Sequence, residues 1–206
     1  MSVKVQVIFH SVYGHIWKLA EAIAEGARQV PGADVQVLQV QELLTADILA
    51  KMHATDAKKA FAHVPIADPQ RLVDADVILL GSGTRYGSAT ASLQAFLDAT
   101  GGLWAKGALV GKVGGVFAST GTQHGGQETT LISMQTFLFH QGMAVVGVPY
   151  AAQELLNMNE ITGGSPYGST TITAGDGSRQ PSENELAIAR FQGKHTTELG
   201  AKVAGK

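Results

Sequence analysis

Short apolar, β-branched runs alternate along this chain with longer stretches in which apolar residues recur every three or four positions. Residues 3–9 form the first such run, and residues 16–27 follow it with helical spacing. The later runs that we predict to be strands are residues 35–40, 77–80, 113–117 and 144–148. Strands and helices that alternate in this way form a parallel sheet covered on both faces. The sequence therefore predicts a doubly wound α/β fold with a five-stranded parallel sheet.

Two stretches depart from this alternation. In residues 41–72 we predict a short helix between Leu43 and Met52, and then a loop that includes Lys58, Lys59 and residues 65–69. Residues 149–181 are rich in glycine and have little periodicity, so we predict a long functional loop there. The last helix opens with a capping box, and we interpret residues 1–206 as one domain.

Charge and composition exclude several classes of protein. The chain has 15 lysines and arginines against 17 aspartates and glutamates, a net charge of −2, so we expect no nucleic-acid partner. It has no cysteine, which excludes disulfides, thiolate nucleophiles and zinc–thiolate sites. Charged residues make up 16% of the chain, below the usual ~25%, which indicates that part of the surface is covered in a homo-oligomer.

Targeting and metal signals are weak. The amino-terminal residues lack the pattern of a secretory signal, and no apolar run approaches the ~20 residues of a membrane span. We therefore expect a cytoplasmic protein without membrane insertion. The seven histidines form no H-E-x-x-H motif, so we expect no catalytic metal.

Three loops follow predicted strands and share a composition of glycine and hydroxyl residues. They span residues 11–16, 81–88 and 118–127, after the first, third and fourth strands. The carboxyl ends of parallel strands share one edge of a sheet, where ligands of such folds bind. The first loop leads into a helix and is suited to a phosphate, although Ser11 as a plain helix cap explains it equally well.

The other two loops suit the polar edge of a flat ligand such as an isoalloxazine ring. Arg85 is a candidate to stabilise the reduced ring, or else a surface residue paired with a carboxylate. The first loop lacks the Gly-Lys-Ser/Thr of a P-loop and the G-x-G-x-x-G of a dinucleotide site. His10 and the segment 81–83 stand where a phosphoacceptor domain would need carboxylates.

Six strings together resemble the WrbA-type NAD(P)H:quinone oxidoreductases, and they span nearly the whole chain. The strings occupy residues 11–16, 84–87, 100–104, 119–122, 149–155 and 175–182. The resemblance implies a flavodoxin-like fold with strand order 2-1-3-4-5, non-covalent FMN and a homotetramer. It also implies two-electron reduction of quinones by NADH or NADPH.

The resemblance also implies roles for single residues. The implied phosphate loop is Ser11, Val12, Tyr13, Gly14, His15 and Ile16, and the implied flavin-ring residues are Thr84, Arg85, Tyr86, Gly87, Ser119, Thr120, Gly121, Thr122 and His140. Tyr13 is implied as a nicotinamide contact and Trp104 as a wall of the substrate site. Tyr150 and Asp176 lie in family segments near the active site, which they would reach across a subunit interface. The loop at Gln123 and His124 is one residue longer than the family pattern.

Alternative interpretations remain at this point. By residue type alone, Trp104 is a core aromatic and His140 a histidine favoured by a helix carboxyl terminus. A flavodoxin-type FMN electron carrier would share the fold, although the low net charge and the long loop argue against it. A non-enzymatic interaction module is the third class. For a flavin enzyme we expect no catalytic acid or base, since the cofactor carries the hydride chemistry.

Overall fold

The computed structural model describes residues 2–206, in which six strands form one parallel sheet. The strands are β1 (Val3–His10), β2 (Ala33–Gln39), β3 (Val77–Gly83), β4 (Val113–Thr120), β5 (Ala144–Val145) and β6 (Ser169–Ile172). Their order is β2-β1-β3-β4-β5, and β6 pairs with the second half of β4. The doubly wound fold and the order 2-1-3-4-5 are therefore confirmed, with one strand more than predicted.

Helices cover both faces of the sheet. They are α1 (His15–Arg28), α2 (Ala46–Lys51), α3 (Thr55–Lys59), α4 (Ala91–Asp98), α5 (Gly101–Ala105), α6 (Gln127–His140) and α7 (Glu183–Val203), with 3₁₀ helices at Pro69–Asp74 and Gln153–Leu156. Phe9 and Leu79 are buried against α1 and α7, whereas Ile8 and Leu80 are buried on the side of α4 and α6. Each of these side chains contributes about 2 kcal/mol through burial. Among residues 2–206, every helix is too short or too polar to span a bilayer.

Helices α1 and α7 pack with their backbones in close contact. A Cβ atom at Gly26 would collide with the backbone of Arg190, and one at Gly193 would collide with the backbone of Ile23. Both positions therefore require glycine. This contact fixes α1, whose first turn forms part of the cleft described below.

The segment 149–181 is not the structureless loop that we predicted, because it contains β6 and a 3₁₀ helix. Strand β6 is fully buried, and polar groups satisfy its hydroxyls. The Thr171 hydroxyl donates to Glu185 (2.7 Å), and the Thr170 hydroxyl accepts from the Gly164 N–H (2.7 Å). The predicted strand at 144–148 is cut short, since the Val148 N–H donates to the carbonyl of Pro166 and not to β4.

Glu185 holds this segment on α7. Its carboxylate is fully buried and accepts from the Gly163 N–H (2.8 Å), the Arg179 guanidinium (3.0 Å) and the Ser182 N–H (2.8 Å). Arg179 also donates to the carbonyl of Ile172 (2.6 Å). A buried carboxylate with this many donors is held in one orientation. The predicted capping box of Ser182 and Glu185 is confirmed.

Two further predictions of local structure need correction. Lys58 and Lys59 lie at the end of helix α3 and not in a loop. An ion pair between Asp56 and Lys59 spans the single turn of this helix. The apolar spacing of Leu93 and Leu97 predicts a helix that ends at Gly101, whereas Gly101 begins α5, whose first turn is closed by bonds to the Thr100 carbonyl.

Candidate functional site

A cleft of about 550 Å³ opens at the carboxyl edge of the sheet, where the three glycine- and hydroxyl-rich loops meet. Its lining consists of His10, Ser11, Val12, Tyr13, His15, Ile16, Gly83, Thr84, Arg85, Thr90, Ser119, Thr120, Gly121 and Thr173. Ten of the residues that we predicted for the cofactor site are therefore brought together.

The first loop leads directly into the N-terminus of α1. Gly14 is the N-cap of α1, has a φ of 89°, and supplies no side chain to cap the helix. Ser11 is not the helix cap, because its hydroxyl accepts from the Gly14 N–H (3.0 Å) and fixes the turn. Within residues 2–206, the backbone N–H groups of His15, Ile16 and Trp17 donate to no protein acceptor. Free N–H groups and the helix dipole together favour a phosphate at this position.

The segment after β6 closes one side of this loop. The His15 imidazole is hydrogen-bonded through Nε2 to the carbonyl of Gly177 (3.1 Å), and Lys18 donates to Gln180 (2.6 Å). Burial lowers the pKa of His15, partly opposed by the bond to the Gly177 carbonyl. His15 is therefore a neutral hydrogen-bonding residue at neutral pH, and it connects the first loop to the segment 149–181.

The loop after β3 is a tight turn. Arg85 and Ser88 exchange backbone hydrogen bonds (2.8 and 3.0 Å), and the two residues between them have positive φ. Tyr86 has a φ of 53° and is fully exposed. A bulky residue in this conformation costs about 1–3 kcal/mol, and such strain clusters at ligand sites. The turn presents the tyrosine ring at the rim of the cleft.

Arg85 is the one cationic side chain that lines the cleft, among the residues that the structure describes. Its guanidinium donates to the carbonyl of Thr84 (2.7 Å), and within residues 2–206 it forms no ion pair. The alternative of a surface pair with a helix carboxylate is therefore wrong. The positive charge of Arg85 remains available to an anionic ligand.

The loop after β4 is joined to both of its neighbours. The Thr84 N–H donates to the carbonyl of Ser119 (2.8 Å), and the Thr173 N–H donates to the carbonyl of Thr120 (2.8 Å). The Thr120 hydroxyl donates to the carbonyl of Thr122 (2.7 Å), which shapes the turn. Thr173 was not predicted, because it follows a strand that the sequence pattern does not reveal.

A row of polar groups lies behind the cleft and was also not predicted. Thr90 is bonded to His10 (2.9 Å), His10 to Glu42 (3.0 Å), and Lys58 to Glu42 (2.8 Å). Burial opposes ionisation of Glu42, but the bonds from Lys58 and the Leu44 N–H outweigh it and lower the pKa of Glu42 to about 2. Burial lowers the pKa of His10, which the Glu42 carboxylate partly offsets.

Trp104 and His140 do not lie in the cleft of their own chain. Crossover helices run antiparallel to the strands, so a helix that begins at the carboxyl edge ends at the amino edge. His140 ends α6, about 20 Å along that helix from the cleft loop. Trp104 lies beyond α4 at the same amino edge, where Gln141 donates to Thr100 (3.0 Å). Our prediction that Trp104 lies at the ligand edge is therefore wrong, and so is its alternative as a core aromatic, since Trp104 is 57% exposed.

Two further predicted residues lie outside the cleft. Tyr150 is exposed on the turn before the second 3₁₀ helix. Asp176 is exposed beside Gly177, and its carboxylate accepts from the Ser178 hydroxyl (2.7 Å), which lowers the pKa of Asp176. Within residues 2–206, no three histidine, aspartate or glutamate side chains are grouped closely enough to hold a metal ion.

The fold and the cleft together define a flavodoxin-like α/β protein with a free helix N-terminus at α1 and two polar loops beside it. The chain belongs to the NADPH-dependent FMN reductase family, whose family model matches residues 3–155. The resemblance inferred from the motifs is thereby confirmed.

Several curated proteins are similar over their full length. A Trichlorobacter lovleyi protein named NAD(P)H dehydrogenase (quinone) is 56% identical over 97% of this chain and 98% of its own. A Methanosarcina mazei protein of the same name is 55% identical over 99% of this chain and 100% of its own. Both alignments include the amino edge with Trp104 and His140 as well as the cleft.

Solved structures agree on the fold. A flavodoxin described as a WrbA-like protein from Agrobacterium tumefaciens has a TM-score of 0.66 and 22% identity, over 98% of this chain and 99% of that one. An archaeal flavodoxin has a TM-score of 0.60 and 21% identity, over 96% and 99% of the two chains. At this identity the likeness concerns the fold alone.

Proposed function

We propose that this protein is an FMN-dependent oxidoreductase that transfers two electrons from NADH or NADPH to a quinone. The observation that carries the proposal is the convergence of a free helix N-terminus and two polar loops on one cleft. The chain also shares about 55% of its residues with relatives named NAD(P)H dehydrogenase (quinone).

Residues 11–16, which we call the cradle, fit the phosphate of FMN. The unpartnered N–H groups of His15, Ile16 and Trp17 are donors, Gly14 leaves the approach to them open, and Ser11 holds the turn. Tyr13 lies at the outer side, where its hydroxyl donates to the carbonyl of Met52 (3.1 Å) and its ring is 43% exposed. We propose Tyr13 as the contact for the nicotinamide cofactor on this basis.

The two other loops fit the flavin ring. Thr84, Arg85, Tyr86 and Gly87 would bind one part of it, and the backbone of the β4 loop would bind another. The residues of that loop are Ser119, Thr120, Gly121 and Thr122. When bound, FMN accepts hydride from the nicotinamide and donates it to the quinone. The cleft residues bind, orient and exclude water, and Arg85 supplies positive charge beside the ring.

A homotetramer would explain the exposed apolar side chains at the amino edge of the sheet. Trp104, Val110 and Phe139 are 57%, 67% and 63% exposed there. The turns that follow α5 and α6 are joined by the bond from the Gly111 N–H to the carbonyl of Gly142 (3.0 Å). Large exposed apolar side chains in one region are typical of an interface. We propose that Trp104 and His140 serve the cleft of a neighbouring protomer. Tyr150 and Asp176 are exposed, as a cross-subunit role requires.

Light scattering tests the assembly, with about four times 21.5 kDa as the expected mass. A monomer that keeps full activity at high dilution would contradict the cross-subunit roles. We further propose the cytoplasm as the location, since a chain without cysteine needs no oxidising compartment to fold.

An anaerobic titration tests the activity. NADH added to the FMN-loaded protein should bleach the visible flavin absorbance, and benzoquinone added afterwards should restore it. Initial rates with both substrates varied should give parallel lines, because one cleft serves NAD(P)H and quinone in turn. A flavin that NADH leaves oxidised, or one that benzoquinone fails to reoxidise, would instead favour an electron carrier.

A further inference from the structure

The row of polar groups behind the cleft has a defined direction of hydrogen bonding. Glu42 is ionised, since its pKa is about 2, so its oxygens only accept and His10 must donate from Nε2 (3.0 Å). In the neutral imidazole Nδ1 is then an acceptor, and the hydroxyl of Thr90 donates to it (2.9 Å). The hydrogen of Thr90 is therefore held by the His10 imidazole when His10 is neutral.

Protonation of His10 would exchange donor and acceptor in the hydrogen bond between His10 and Thr90. Nδ1 would become a donor to the Thr90 oxygen, which would release the Thr90 hydrogen. Both residues line the cleft and are about 95% buried, so the released donor would be available to a group inside it. The row thus connects the proton of a buried imidazole to the donors that a ligand meets.

The charges around the cleft favour that proton when a phosphate is present. Three charged groups surround His10: Glu42 follows β2, Lys58 belongs to α3, and Arg85 lies in the turn after β3. Burial opposes a proton on His10, Glu42 favours it, and Lys58 and Arg85 oppose it more weakly than Glu42 favours it. The two negative charges of a phosphate ester in the cleft would add to the effect of Glu42. Lys58 also donates to the carbonyl of Ser11 (3.3 Å), which ties the row to the cradle.

We propose that His10 takes up a proton from solvent when the phosphate of FMN occupies the cleft, and that Thr90 then donates its hydroxyl into the cleft. The proposal rests on the proposed function, since FMN is the phosphate ester concerned. It makes His10 a positioning residue, which supplies charge and reorients a donor without touching the reacting atoms. The neutral imidazole of the empty cleft avoids an uncompensated buried charge.

Calorimetry of FMN binding near pH 7, in two phosphate-free buffers with different heats of ionisation, counts the protons taken up. The wild type should take up a measurable fraction of a proton per FMN, and at most one, more than His10→Gln, after the loss of protons from free FMN cancels in the comparison. Riboflavin, which lacks the phosphate, should cause no uptake in either protein. His195→Gln is the matched control, because His195 lies in α7 outside the cleft lining, and it should retain the uptake.

Equal proton counts for the wild type and His10→Gln would overturn the proposal, and so would uptake with riboflavin or loss of uptake in His195→Gln. Should His10→Gln fail to fold, the His10 imidazole of the wild type is titrated by NMR with and without FMN. Its pKa should rise by about one unit or more on FMN binding, and an unchanged pKa would overturn the proposal. Failure of the protein to bind FMN at all would count against the proposed function, whereas binding without proton uptake would count against His10 alone.

Discussion

The two edges of the sheet present different kinds of side chain. At the carboxyl edge His10, Thr90 and Ser119 are buried and hydrogen-bonded around an open cleft. At the amino edge Trp104 and Phe139 are large, apolar and more than half exposed. A polar cleft whose groups are held by their own chain is ready for a ligand, whereas exposed apolar residues need a second surface. A single chain therefore completes one edge and leaves the other to an assembly.

Removal of the carboxylate behind the cleft should give the largest effect. Glu42→Gln leaves Lys58 and His10 without their charged partner, and we expect the free energy of unfolding at pH 7 to fall by about 2 kcal/mol. Because the folded pKa of Glu42 is below its unfolded value, this stabilisation is present above about pH 4.5 and is lost as the pH falls towards 2.

Urea denaturation at pH 7 and at pH 3 measures both parts of that prediction. Asp56→Asn is the matched control, because Asp56 pairs with Lys59 on the exposed surface of helix α3. This substitution should not change the free energy of unfolding measurably. A Glu42→Gln variant as stable as the wild type at pH 7 would show that the carboxyl edge is held by its backbone loops alone.

Truncation at the amino edge should affect assembly more than folding. Trp104→Ala removes a side chain that is already 57% exposed, so we expect a loss of about 1 kcal/mol or less in protomer stability. FMN affinity of dilute protomers should change less than about twofold, since Trp104 lies outside their own cleft.

Fluorescence titration at low and high protein concentration distinguishes the two roles of Trp104. Quinone kinetics per bound flavin should deteriorate only where the wild type is assembled. Trp17→Phe is a useful comparison, because Trp17 stacks on Phe61 within its own chain and its effects should not depend on concentration. Loss of FMN from dilute Trp104→Ala, with normal folding, would place Trp104 in the cleft after all.

The smallest effect is expected for His140. His140→Gln changes an exposed residue at the carboxyl end of α6, where a histidine contributes about 1 kcal/mol at most. Thermal unfolding of the protomer should therefore be almost unchanged. A change in FMN affinity that appears only in the assembled protein would support a role in a neighbouring cleft, and one that persists in the monomer would contradict the separation of the edges.

The sequence predicted the elements with clear periodicity and the loops between them. Residues 3–9 and 16–27 carry strand and helix patterns strong enough to place the cradle correctly. Strand β6 was not predicted because Thr170 and Thr171 are hydroxyl residues in a buried strand. Their hydroxyls are hydrogen-bonded to residues elsewhere in the chain. No local sequence pattern indicates hydrogen bonds of this kind.

The polar row was missed for a related reason. Glu42 and Lys58 lie in the ambiguous stretch of residues 41–72, and their partner His10 is 32 positions from Glu42. The positions of Trp104 and His140, in contrast, were open to prediction. A crossover helix that starts at the carboxyl edge and runs for 14 residues must end at the amino edge, which excludes His140 from the cleft of its own chain.

The central claim is that residues 11–16 bind the phosphate of a flavin whose ring lies against the two neighbouring loops. The most direct test compares the affinities of the wild-type protein for FMN and for riboflavin by quenching of flavin fluorescence. We expect riboflavin to bind at least about 100-fold more weakly, since it leaves the free N–H groups of α1 without their anion. Equal affinities for the two flavins would contradict the account.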